Sequence, residues 1–221
     1  MESNISDNQP APVQIVENSK AFVYTIRDWK EYLGESLLII FSVLLALILT
    51  EYINSLHEKE NTRNIMKSIV AELKQNKTSL QEMNLYNLQV LNNIDSVIVN
   101  KKLQQQLVSD DAFKLKVIAP QGALYRYLNN EAWTIAKNNN IMSKVDIETL
   151  TILTKVYEDQ SRVMKVEDEV AKVILNRDSR DLAKIHSTLI IIKDIYHAWA
   201  VDRNEGLLQR IEEAIKKVEA Y

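Results

Sequence analysis

GESLLIIFSVLLALILTEYINSL, residues 34–56, is the stretch that decides the fold. From Ser36 to Thr50 it carries no charge, and Leu, Ile, Val and Phe fill eleven of the fifteen positions. As a helix those fifteen residues rise about 22 Å, short of a hydrocarbon core of about 30 Å. Counted from Tyr32 to Ile53 the rise is about 33 Å, which suffices. The stretch shows no polar face of the kind that marks a helix half-buried in a soluble core. A cleaved signal needs a basic start and small residues at its cleavage site. Here residues 1–34 hold five acidic against three basic residues, and LILTEY contains no such site. The sequence therefore predicts one uncleaved transmembrane helix over 34–56.

Working outward, Trp29, Tyr32, Glu35, Glu51 and Tyr52 stand where the membrane boundary should fall. Aromatic rings favour the headgroup level, and a carboxylate about 12 Å from the span's midpoint can reach water. Glu51 is also a candidate proton-carrying carboxylate, because ionisable residues in membrane segments are functional by default. Residues 20–33 place Phe22, Ile26, Trp29 and Leu33 at helical spacing, the pattern of an amphipathic segment at a membrane surface. Residues 1–19, polar with Pro10 and Pro12, read as a disordered tail. Lys20, Arg27 and Lys30 precede the span and Lys59, Arg63 and Lys67 follow it, so the positive-inside count ties and leaves the orientation undetermined.

Beyond the span, a heptad frame with Met66 at position a puts Met66, Ile69, Leu73, Asn76, Leu80, Met83, Asn87, Val90, Ile94 and Val97 in one seam. No Gly or Pro interrupts it, which predicts a long helix over 57–107. A single Asn in such a seam can set register or oligomer state, so the seam is a candidate coiled-coil surface for a second copy. The preferred reading packs it instead on the chain's own later helices, which also need a partner. Those helices are expected at about 109–118, 122–140, 146–176, 179–203 and 205–220, within an extramembrane domain 57–221. Ser109 or Asp110, Asn129 or Asn130, Ser143 or Asp146, and Ser179 are the candidate caps; Pro120, Gly122 and Gly206 mark breaks. No strand is expected. With three Gly and three Pro in 221 residues, the composition also favours helix, and the fold class is all-α.

Chemistry is sparse. Cysteine is absent and the three histidines, His57, His186 and His197, form no metal-spaced pair. Gly34, Gly122 and Gly206 lie too far apart for a phosphate loop or a nucleophile elbow. A net charge of −3 without a long basic block offers no footprint for nucleic acid. No cofactor or metal is expected, and an enzyme is not. Trp133, in NNEAWTIAKNNN, is a candidate for lining a ligand pocket or for plugging a helix junction.

GESLLIIFSVLLALILTEYINSLHEKENTRNIMKSIVAELKQN resembles the start of an uncharacterised group of short bacterial single-span membrane proteins. Gly34, Glu35, Leu44, Ala46 and Leu47 carry the likeness, and EAWTIAKNNNIMSKVDIETLTILTKVYEDQ resembles a later segment of that group. Tyr52 and Ile53 stand where the group often has an Asn/Trp boundary. The resemblance implies a single-pass protein of the bacterial inner membrane with no catalytic residues to transfer. The expected partners are the lipid bilayer and either a second copy or another membrane protein. The expected role is a scaffold, adaptor or assembly subunit. A ligand-sensing bundle coupled through the span, and a small ion-coupled subunit using Glu51, are the alternatives.

Overall fold

A computed structural model describes residues 29–220, with only the backbone of Glu31. The tail 1–19 and most of the segment 20–33 lie outside the described residues. The chain is all-α, with a long N-terminal helix and further helices, and it divides into two units, Met1–Ile53 and Asn54–Tyr221.

Helix α1 runs Trp29–Val99. In the first unit every described side chain from Leu37 to Thr50 is exposed; Phe41 is 66% and Ile48 67% exposed. The three hydroxyls of the apolar run are turned onto the helix itself. Ser36 Oγ donates to the Tyr32 carbonyl at 2.8 Å, Ser42 Oγ to Leu38 at 2.7 Å, and Thr50 Oγ1 to Ala46 at 2.8 Å. Such bonding back to the preceding turn hides the only polar side-chain groups between Ser36 and Thr50.

In the second unit three helical rods share one core. The first is the rest of α1. The second is α4 (Ile147–Met164) followed by α5 (Val166–Leu175), and the third is α6 (Ile185–Ile195) and α7 (Asp202–Glu219), joined by a π-helical turn at Tyr196–Val201. α4 packs on α7 and α5 on α6, so the second and third rods are antiparallel. Lys74 pairs with Glu219, Lys77 with Glu212 and Asp95 with Lys193, so the third rod is also antiparallel to α1.

Several sequence expectations are corrected. The long helix does not continue to 107: it stops at Val99, and Asn100 turns out of helical geometry to cap a separate helix α2 (Lys101–Leu107), accepting from the amides of Lys102 and Leu103. Gln104 Nε2 reaches back to the carbonyls of Val97 and Ile98, satisfying groups the α1 terminus would leave open. The expected helix 109–118 is instead a two-stranded antiparallel hairpin, β1 (Val108–Ser109) and β2 (Ala112–Phe113), followed by a 3-10 turn at Leu115–Val117. Asp110 and Asp111, at φ 56° and 55°, supply the left-handed pair that a two-residue hairpin turn requires. The helix expected at 122–140 shrinks to α3 (Glu131–Asn138). The expected helix 146–176 breaks at Lys165 without any Gly or Pro. Gly206 breaks nothing and lies inside α7. Of the candidate caps, Asp146 caps α4 through the Thr149 amide at 2.9 Å. Ser179 instead bonds backwards to the carbonyls of Ile174 and Asn176.

Candidate functional site

All ten seam residues, Met66, Ile69, Leu73, Asn76, Leu80, Met83, Asn87, Val90, Ile94 and Val97, are buried inside the chain. The helices that cover them are the chain's own, so the seam offers no free surface to a second copy. Its two asparagines differ. Asn76 Nδ2 donates to the Asn129 carbonyl at 2.7 Å and to Gln160 Oε1 at 3.2 Å, while its Oδ1 accepts from the Asn129 amide at 2.8 Å. Asn87, 2% exposed, has a buried Nδ2 with no hydrogen-bond partner.

Asn76 belongs to a polar ladder that sequence reasoning missed. Residues 118–130 form no α-helix and carry backbone groups that need partners. α1 supplies several of them in antiparallel order. Asn93 Nδ2 donates to the Ile118 carbonyl at 2.9 Å. Tyr86 Oη donates to the Gly122 carbonyl at 2.7 Å and accepts from the Gln121 amide at 3.1 Å. Asn76 holds both the amide and the carbonyl of Asn129, and Glu72 Oε2 accepts from the Ala132 amide at 2.8 Å. From the third rod, Tyr196 Oη donates to the Ala123 carbonyl at 2.8 Å. Along α1, residues 72–93 rise about 32 Å, so the fourteen steps from 118 to 132 average about 2.3 Å each, between helix and strand. The segment is a strap laid along α1. The only sequence signal for it was polar residues at inward positions of a helix.

Trp133 is where ladder and bundle meet. It is buried and stacks on Tyr157, with ring centroids 5.2 Å apart and planes 3° apart. Tyr157 Oη donates to Glu72 Oε1 at 2.7 Å. One face of Trp133 is thus covered by a side chain of α4, and Lys137 Nζ lies 5.9 Å from the ring centroid. Glu72, 8% exposed, spends one oxygen on Tyr157 and the other on the start of α3. It caps α3 from another helix, since the side chain of the N-cap residue Asn130 makes no capping bond. Burial first, and the adjacent Glu72 carboxylate second, push the Tyr157 phenol far above its ordinary value.

The boundary residues Trp29, Tyr32 and Tyr52 are all exposed, as is Glu51. Among the described residues no group of three or more His, Asp or Glu side chains is placed to hold a metal ion. Three clefts carry charged residues, two of them of both signs and the one beside Glu72 acidic only. One of about 510 Å³ is lined by Ser55, Glu58, Lys59, Thr62, Arg63 and Lys144. One of about 300 Å³ lies along α1 and α3 beside Glu72. One of about 620 Å³ has Arg177, Arg180 and Lys184 opposed by Asp111, Asp178 and Asp181.

No family model matches the chain, and neither does a curated protein or a solved structure. The likeness to short single-span proteins rests on the quoted residues alone. Among the described residues, one helix near the N-terminus is long and apolar enough to cross a membrane.

Proposed function

We propose that this chain is a single-pass membrane protein whose second unit is a helical scaffold or assembly element working through helix–helix contacts. A bacterial inner membrane is the setting that the sequence resemblance suggests. The observation that carries the reading is the apolar run itself: none of its most apolar eighteen-residue window is buried within the protein. Side chains such as Leu, Ile, Val and Phe each gain about 1.5–3 kcal/mol on leaving water. With eleven of them on one exposed helix, a bilayer is the natural partner. The inward-turned hydroxyls of Ser36, Ser42 and Thr50 support the same environment, because hydrocarbon satisfies no polar group.

The scaffold part of the reading draws on the side chains of Glu72 and Asn76, which are hydrogen-bonded within the bundle, and on Trp133, which stacks on Tyr157. The sensing alternative looks for a pocket near Trp133; the stacking of Tyr157 on that ring supports the scaffold reading over it. The test is fractionation followed by cross-linking and partner identification from detergent extracts. Retention in the membrane pellet through an alkaline carbonate wash is the expected result; release into the supernatant would sink the anchor.

A further inference from the structure

The cleft lined by Ser55, Glu58, Lys59, Thr62, Arg63 and Lys144 has a composition suited to an anion. Three of its six residues are basic and one is acidic, in a chain whose overall charge is −3. Ser55, Lys59, Thr62 and Arg63 recur at helical spacing, so α1 presents them on one face. Lys144, beside the 3-10 turn Ile141–Ser143, forms the opposite wall and reaches Glu58 Oε2 at 3.1 Å. That pair offsets the acid of the cleft. Lys59 and Arg63 are exposed, with no carboxylate within ion-pair distance among the described residues. Lys67 continues their row one turn on and joins Arg63 at the next cleft.

Position along the chain selects the source of the anion. Ser55 follows Ile53, the last residue counted in the apolar run, by two places. Ser55 to Arg63 covers about 12 Å of helix rise, and the headgroup layer on one side of a bilayer is about 5–8 Å deep. Lys and Arg stems are long enough to lean back toward that layer. We propose that this cleft binds the phosphate of an anionic phospholipid headgroup, with Lys59 and Arg63 as the principal cations and Lys144 as the far wall. The proposal rests on the single-pass reading.

The test uses the full chain purified in mild detergent, titrated with phosphatidylglycerol or phosphatidylcholine, with retained lipid counted by native mass spectrometry. Near an anionic surface each basic residue contributes about fivefold in affinity, so a preference for phosphatidylglycerol of about tenfold or more is expected. The double variant Lys59→Gln/Arg63→Gln should lose most of that preference. Arg177→Gln/Arg180→Gln, at the other charged cleft, should keep it. Equal retention of the two lipids by the unaltered chain would overturn the proposal, as would an unchanged preference in the Lys59/Arg63 variant. Displacement of phosphatidylglycerol by equimolar inorganic phosphate would also overturn it, assigning the site to a soluble anion. Carbonate extraction separates the two levels: a chain that stays in the membrane but shows no lipid preference defeats only the headgroup site, whereas a chain that washes out defeats the anchor.

Discussion

Glu72 shows how much one side chain can hold. Its two oxygens join three helices, taking the Tyr157 hydroxyl from α4 and the Ala132 amide at the start of α3. Glu72→Ala leaves both donors without their partner, and each buried unpaired group costs about 1–3 kcal/mol. The expected loss is about 2–4 kcal/mol in chemical denaturation, with Glu72→Gln, which keeps an acceptor, losing less. Equal losses in the two variants would mean that shape rather than hydrogen bonding matters there. Alkaline pH probes the same cluster. Burial raises the Tyr157, Tyr196 and Tyr86 phenols, and the Glu72 carboxylate adds to the effect at Tyr157. A raised folded value means stability that is complete below the unfolded phenol pKa of about 10 and is lost as pH rises through the folded value. The denaturation midpoint should therefore fall above about pH 10, and Tyr157→Phe should flatten that fall. A midpoint unchanged to pH 11 in the parent chain would count against it.

At the scale of elements, α1 does two jobs with different residue types. Its apolar a and d positions close the bundle, and its inward polar residues clamp the strap 118–130. The two seam asparagines separate these jobs. Asn76→Leu strips partners from the Asn129 amide and carbonyl and should destabilise by about 2–4 kcal/mol. Asn87→Leu removes a buried donor that has no partner and should be neutral or stabilising by up to about 1 kcal/mol. Thermal melts of the two variants moving in the same direction would refute this division. Gly206 offers a second element-level test. A Cβ there meets only the Arg210 guanidinium at 3.6 Å, an ordinary contact. Gly206→Ala should therefore raise stability by about 0.5–1 kcal/mol, the helix-propensity difference, as read in the same melts. The existence of α1, α4, α6 and α7 was legible because apolar residues recur at helical spacing over many turns. The breaks at Asn100 and Lys165 were not. Neither has a Gly or Pro beside it, and the π turn that faces the second rod inserts Tyr196–Val201 without any local signal. Trp199 in that turn lies between Lys165, 5.8 Å from its ring, and Arg203, at 5.2 Å, so the irregularities of the two rods meet at one aromatic side chain.

For the molecule as a whole, the single-pass reading predicts sensitivity to one charge. Lys in place of Leu45 puts an ammonium near the middle of the run at a cost of about 2.5–3.5 kcal/mol. The Leu45→Lys chain should partition measurably into the carbonate-soluble fraction, and unaltered partitioning would argue that the run is not in lipid. The sequence by itself determined the apolar segment, the all-helical class and the buried stripe from Met66 to Val97, because each depends on composition and period summed over many residues. It could not say whether that stripe met a second copy or the chain's own helices; tertiary structure decided for the chain's own, since burial is a property of what surrounds a face rather than of the face. The same holds within the stripe. Asn76 and Asn87 are one residue type in one seam, and only the arrival of Asn129 and Gln160 beside the first makes it a clamp while the second stays unpaired.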